Sequence, residues 1–180
     1  MLIIGITGTL GAGKGTVVDY LIKNRDFKHY SVSGYLKDEL IKQNKEINRP
    51  NLQDVGNELR EKFGPDFITQ ELFTLAKTNN ENAIIESVRN PREAEFIKSH
   101  GGKLIAVVAD QKIRFDRIKD RQSVKDNVTF EEFQKQEERE TQSIDPNSQN
   151  LTKCIEMADF IINNDGDLDN LYEQIEKNIK

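Results

Sequence analysis

Gly8-Thr9-Leu10-Gly11-Ala12-Gly13-Lys14-Gly15-Thr16 is the segment whose residue types and spacing speak most directly of chemistry. Four residues separate Gly8 from Gly13, and Lys14 follows at once. A hydroxyl residue, Thr16, stands one position later than the pattern G-x-x-x-x-G-K-[ST] places it, displaced by Gly15. The glycines let the backbone curl tightly and aim its N–H groups inward. Those groups, with the positive end of a following helix, make a cradle for phosphate oxygens. On this reading Gly8, Leu10, Gly11, Ala12, Gly13, Lys14, Gly15, Thr16 and Val17 hold a nucleotide. The Lys14 ammonium supplies a mobile charge for the β- and γ-phosphates, and Thr16 is the expected hydroxyl ligand for Mg²⁺. A glycine-rich turn with an incidental lysine fits less well, because an apolar run precedes the segment and helical spacing follows it.

Ile84-Ile85-Glu86-Ser87-Val88-Arg89 puts a carboxylate and an arginine at the end of a second apolar run. Ligands of open α/β sheets bind beyond the carboxyl ends of the strands. Arg89 is therefore expected to hold an anionic group. Glu86 is expected to orient the acceptor or to hold Mg²⁺ through water, with a structural pair to Lys14 as the alternative. Arg114, Arg117 and Arg121 are spaced to share one helix face. Phosphoryl transfer loads negative charge on the transferred oxygens, so converging cations would serve it. A solvated basic face paired with Asp116, Asp120 or the Glu137–Glu138 run is the competing reading. Arg139 stands equally between the two. Arg60, Arg92, His29, His100 and Cys154 read as ordinary surface or core residues.

The elements that must carry these residues alternate. Leu2–Ile6 reads as a buried strand, followed by a helix with Val17, Val18, Leu21 and Ile22 at helical spacing. Phe27–Ser31 is a second short strand. Helices are expected at Tyr35–Gln43, Leu52–Phe63 and Phe67–Lys77. Ala83–Glu86 is a strand, and Pro91 opens a helix over Arg92–His100. Lys103–Ala109 is the strongest strand signal, before a basic helix at Lys112–Arg121. Thr129 with Glu132 fits a capping box for a polar helix to about Thr141. A short helix at Leu151–Met157 and a strand at Phe160–Ile162 follow. Leu168, Leu171, Ile175 and Ile179 stripe a final helix. Such alternation implies a parallel sheet covered on both faces.

The bulk properties narrow the class. At 180 residues the chain is about one domain. A net charge of −5 argues against a general nucleic-acid binder. One cysteine cannot form an internal disulfide. No apolar run approaches the ~20 residues of a membrane span, and the start lacks a basic leader, so the expected location is the cytoplasm.

The Gly11–Thr16 ending resembles the loop of adenylate kinases and related nucleoside monophosphate kinases, and the likeness extends over most of the chain. In that family an arginine after a strand ending in Asp-Gly holds the acceptor phosphate. Ile84–Arg89 looks like a version of it, with Glu86 in place of the aspartate and Arg89 as the phosphate arginine. Where adenylate kinases place a glutamine on the acceptor adenine, this chain has Glu93. Where they open an acceptor helix with Thr-Gly-Asp and an arginine, it has Ser33-Gly34-Tyr35, with Lys37 as the nearest cation. The resemblance thus implies Ser33, Gly34, Lys37, Arg89 and Glu93 as acceptor residues and leaves the acceptor base open. It makes Arg121 and Arg139 the arginines at the edges of a lid. Ala158–Gly166 is similar to the end of dephospho-CoA kinases, where this loop lies near the ATP adenine, which brings in Gly166. Leu59–Pro65 resembles a stretch of adenylate-kinase-like P-loop proteins.

The fold implied is a three-layer α/β P-loop kinase in one domain, 1–180, with a lid-like segment near 122–142. Its parallel sheet would have about five strands in the order 2-3-1-4-5, with helices on both faces. ATP and Mg²⁺ are the expected cofactors, and a small nucleotide acceptor the expected partner, with neither nucleic acid nor membrane. The activity implied first is γ-phosphoryl transfer to a nucleoside or deoxynucleoside monophosphate. Transfer to a ribose hydroxyl, as in dephospho-CoA kinases, with Glu86 as base, is second. A regulatory module that hydrolyses ATP slowly is third.

Overall fold

The computed structural model describes residues 1–120, 129–141 and 149–179. Its elements run in the order β1 (Ile3–Thr7), α1 (Lys14–Arg25), β2 (Lys28–Ser31), α2 (Val32–Lys42), α3 (Arg49–Phe63) and α4 (Phe67–Asn79). Then come β3 (Ala83–Glu86), α5 (Pro91–Ser99), β4 (Lys103–Val108), α6 (Gln111–Asp120), α7 (Phe130–Thr141), α8 (Leu151–Glu156), β5 (Phe160–Asn163) and α9 (Leu168–Asn178). The strands form one parallel sheet in the order β2-β3-β1-β4-β5. This is the order the resemblance implies.

Strand parity explains the three layers. Ile3, Ala83, Ile85 and Leu104 face a core shared with α2, α3, α4 and α5. Ile4, Ile6, Ile84, Ile105 and Ile162 face the other way, onto α1 and α9. Each such aliphatic side chain contributes about 1.5–3 kcal/mol when fully buried. Both faces are therefore apolar over β1, β3 and β4, and these strands read as continuous runs rather than alternating ones. Phe115, Ile118 and Phe133 make a small separate cluster that joins α6 to α7.

Register sets the functional edge. Ile6 lies opposite Glu86, and Ser31 lies opposite Glu86 on its other side. The carboxyl ends of β1, β2 and β3 therefore finish level, with the loop after β1 between its neighbours. Val108 pairs with Asn163, which brings the chain after β5 to the same edge.

Helix starts differ from the sequence expectation where a polar cap lies further upstream. α2 begins at Val32, not Tyr35, because the Ser31 hydroxyl accepts the Gly34 N–H at 2.8 Å. α3 begins at Arg49, not Leu52, because the Asn48 side chain accepts the Asn51 N–H at 2.9 Å. The capping box at Thr129 and Glu132 forms as expected: each side chain takes the other's backbone N–H. Among the described residues no helix is long and apolar enough to cross a membrane.

Candidate active site

The loop between β1 and α1 is shaped by close approaches. Gly13 is the N-cap of α1 with φ 94°, a left-handed conformation. A Cβ there would lie 2.1 Å from Nδ2 of Asn164. Gly8 has φ 137°, and its Cβ would lie 2.1 Å from the Val107 carbonyl oxygen. No larger residue fits either position. Over Gly15, by contrast, nothing lies within 4 Å. The loop's open side is therefore at the start of α1, where Lys14 and Thr16 are half-buried. Lys14 Nζ donates to the carbonyls of Gly8 at 2.8 Å and Thr9 at 2.9 Å, so the ammonium lies over the loop. Ala12 and Val17 are buried in the sheet–α1 core, and Leu10 projects from the loop tip.

Two residues from distant elements hold the loop. Asn164, buried just after β5, donates to the Ala12 carbonyl at 2.8 Å. Arg114 on α6 is also buried. It donates from Nε to the Ala109 carbonyl at 2.9 Å and from Nη1 to the Leu10 carbonyl at 3.2 Å. Its guanidinium is paired with Glu137 of α7 at 2.5 Å and lies over the Phe133 ring. The structure thus gives Arg114 the pairing that the sequence reading held as its alternative. A buried ion pair of this kind is strongly destabilising to break from one side. Arg117, one turn on, is half-buried, and its Nη1 is buried with no hydrogen-bond partner among the described residues. Its charge acts on Asp165, whose carboxyl lies below its usual range. The main causes there are hydrogen bonds from the Asp110 N–H and from Asn163. Gly166 is exposed in that same loop. Arg121 lies outside the described residues, as do the Arg139 side chain and residues 122–128 and 142 of the lid-like segment; the rest of that segment is Thr129 and α7.

On the acceptor side Glu86 ends β3. Its Oε2 lies 3.0 Å from His29 Nε2. The histidine hydrogen bond holds the Glu86 carboxyl below its usual range against the opposing effect of burial, and the charges of Lys14 and Arg89 act the same way. Glu86 therefore stands ionised among Lys14, Arg89 and His29. Lys14, the structural partner held as the alternative, also lowers that carboxyl by its charge. His29 was read as an ordinary residue because nothing in a four-residue edge strand marks it; only the register of β2 on β3 brings it to Glu86. Ser87 turns the chain with φ 71°, a conformation that costs a non-glycine residue about 1–2 kcal/mol.

Glu93 has a different place from the one the resemblance implies. It is buried, and its Oε2 accepts the N–H of Arg89 at 2.8 Å and of Asn90 at 3.0 Å, completing a capping box on α5. It cannot read an acceptor base while its carboxylate caps that turn; it positions Arg89 instead. Arg89 further donates to Gln149 at 3.3 Å, and its carbonyl accepts the Asn150 N–H. Burial pushes the Glu93 carboxyl above its usual range. Above the unfolded value the folded chain then binds the extra proton, so this group's contribution to stability falls as pH rises through that window. Gln in its place keeps the accepting oxygen and carries no charge. The stability of Glu93→Gln relative to the parent is therefore expected to rise with pH above the ordinary glutamate range. Urea midpoints across pH test this, and a flat or falling difference would contradict it. Ser33 and Lys37 are exposed on the first turns of α2 with Gly34 between them, at the carboxyl end of β2.

Cys154 is on the buried face of α8, and burial pushes its thiol up to about 12, which leaves it inert at neutral pH. Among the described residues no cluster of His, Cys, Asp and Glu could by itself hold a metal. The oxygen donors at the loop are the Thr16 hydroxyl and the Glu86 carboxylate. They suit Mg²⁺, which binds through one or two protein oxygens together with substrate phosphates. The open space over Gly15 fits an anionic ligand at this edge.

Comparison with known proteins agrees with this geometry. Residues 4–145 match the family described as AAA domain. A UPF0200 protein of Methanococcus maripaludis is 29% identical over 186 residues, covering 97% of this chain and 98% of the relative. A UPF0200 protein of Pyrococcus furiosus is 29% identical over 185 residues, covering 98% and 95%. Shikimate kinase from Bacteroides thetaiotaomicron superposes with a TM-score of 0.60 at 17% identity, over 98% of this chain and 95% of the other. Dephospho-CoA kinase from Campylobacter jejuni does so with a TM-score of 0.54 at 16% identity, over 97% and 94%. At these identities the superpositions speak for the fold: a five-stranded parallel sheet with the phosphate loop at its centre. The chain belongs to the AAA domain family and is built on the P-loop kinase fold.

Proposed function

We propose that the protein is an ATP-dependent phosphotransferase that moves the γ-phosphoryl of Mg-ATP to a small acceptor, with a nucleoside or deoxynucleoside monophosphate as first choice. The observation that carries this reading is the level alignment of the Lys14 loop with Glu86 and Arg89 at one sheet edge. In this reading the loop amides and Lys14 hold the donor phosphates, and Arg117 adds its charge from α6. Thr16 and Glu86 would hold Mg²⁺, which when bound neutralises charge on the phosphate oxygens. Arg89 holds the acceptor's anionic group, fixed from behind by Glu93. Ser33 and Lys37 border the acceptor from α2. Little covalent chemistry is asked of the protein, since aligning donor and acceptor in line supplies most of the rate.

A second reading is favoured by one feature, the Glu86 carboxylate held ionised against His29. A hydroxyl acceptor must lose a proton, and a carboxylate at that position would take it. The fold neighbours named as shikimate kinase and dephospho-CoA kinase support such an acceptor.

The test is ADP release from Mg-ATP on adding nucleoside monophosphates, deoxynucleoside monophosphates and dephospho-CoA in turn. A monophosphate that raises turnover above the intrinsic rate supports the first reading. Response to dephospho-CoA alone supports the second. A flat panel with intact ATP binding would favour a regulatory module with slow ATPase.

A further inference from the structure

Arg60 on α3 is half-buried. Among the described residues its guanidinium makes no hydrogen bond and no ion pair; its charge acts on the buried Glu93 without direct contact. Glu93 is not free to close that gap, because its Oε2 caps the N–H groups of Arg89 and Asn90. One turn before Arg60 stands Gly56, a buried glycine inside a helix, where glycine costs about 1 kcal/mol against alanine. A Cβ at Gly56 would lie 3.0 Å from Arg60 Nη1 and 3.3 Å from Leu36 Cδ1 of α2. The glycine is therefore a notch that lets the guanidinium lie back against Leu36 of α2, the helix that starts at the carboxyl end of β2. A half-buried cation held in place without a counter-ion is incomplete, and an anion completes it.

We propose that Arg60 binds the acceptor's anionic group together with Arg89, and that this group is a phosphate monoester. The inference rests on the phosphotransferase reading and deepens it. Lys37, the nearest cation in the Ser33–Lys37 segment, is exposed on the first turns of α2, whereas Arg60 is sunk between helices. Its planar fork offers paired donors to phosphate oxygens, which a lysine point charge does not. Glu93 couples the two arginines, since it caps the Arg89 turn and is the buried charge that Arg60 faces.

The test uses the full chain with its donor loop filled by Mg-AMPPNP, titrated with inorganic phosphate by calorimetry. Arg60→Gln is expected to weaken phosphate binding at least tenfold, and Arg60→Lys less, with AMPPNP affinity and melting temperature unchanged. Gly56→Ala, which pushes on the guanidinium while favouring the helix, is expected to weaken phosphate binding by a smaller factor without lowering the melting temperature. Phosphate affinity in Arg60→Gln equal to the parent's, or no phosphate binding to the AMPPNP-filled parent, would overturn the proposal. Failure of AMPPNP itself to bind would instead remove the donor site, and with it the reading on which this inference rests.

Discussion

Lys14→Ala is expected to lower Mg-ATP turnover on the order of 10³-fold, the scale set by losing one preorganised charge at a transition state. Lys14 is the cation that lies over the loop, within reach of the Gly8 and Thr9 carbonyls and of the charge on Glu86. The loop itself is expected to survive the loss of the ammonium's bonds to the Gly8 and Thr9 carbonyls, because Gly13 against Asn164 and Arg114 at the Leu10 carbonyl still hold it. The mutant should therefore melt as the parent does. Steady-state ADP release with a melting control checks both halves. Unchanged turnover would take the loop out of the mechanism, and a collapsed melting temperature would show that the lysine is structural.

Glu86→Gln is the second large effect, and its size discriminates between acceptors. If the acceptor is a hydroxyl, the carboxylate serves as general base, and its loss costs on the order of 10²–10⁴-fold in kcat. If the acceptor is a phosphate, no proton need be taken from it, and the loss is confined to what Glu86 does for metal and geometry. His29 gives an independent handle. Its Nε2 lies 3.0 Å from Glu86 Oε2 from behind, on the edge strand. His29→Ala is expected to lower kcat about tenfold, which equals about 1.4 kcal/mol, with little change in KM for ATP. His29→Gln, which restores a donor, should recover part of it. On a Glu86→Gln background His29→Ala should add nothing further, because the two act as one unit. Independent, multiplying losses would show that His29 serves the fold rather than the carboxylate.

The fold was largely legible because most elements carried their own signal. Apolar runs marked β1, β3 and β4, the central strands buried on both faces, whereas β2, Lys28–Ser31, is a polar edge strand without one. The boundaries that slipped, at α2 and α3, were those set by a cap several residues upstream, Ser31 and Asn48, which pattern reading of the apolar face does not see. The donor half of the site was equally legible, since the glycines, Lys14 and Thr16 are contiguous. The rest of the site depends on residues that meet only through sheet register. Asn164 reaches Ala12 across 152 positions, and His29 reaches Glu86 only because β2 pairs with β3. Nothing local in either segment announces the contact. Arg114 and Glu93 show the opposite case, in which residue types suited to ligands are spent on structure. Arg114 ties α6 to α7 and to the loop, and Glu93 caps the Arg89 turn. The signal that could have separated Glu93 was present: Asn90-Pro91-Arg92-Glu93 is an N-cap followed three residues later by glutamate.

On the proposed reading, donor and acceptor meet at the sheet edge that carries the Lys14 loop, Glu86 and Arg89. The most direct measurement is the fate of label from [γ-³²P]ATP in the presence of candidate acceptors. Label is expected to move onto one acceptor faster than it appears as inorganic phosphate, and Lys14→Ala and Arg89→Gln are each expected to abolish the transfer. Label that goes only to inorganic phosphate, at a rate no acceptor changes, would contradict it.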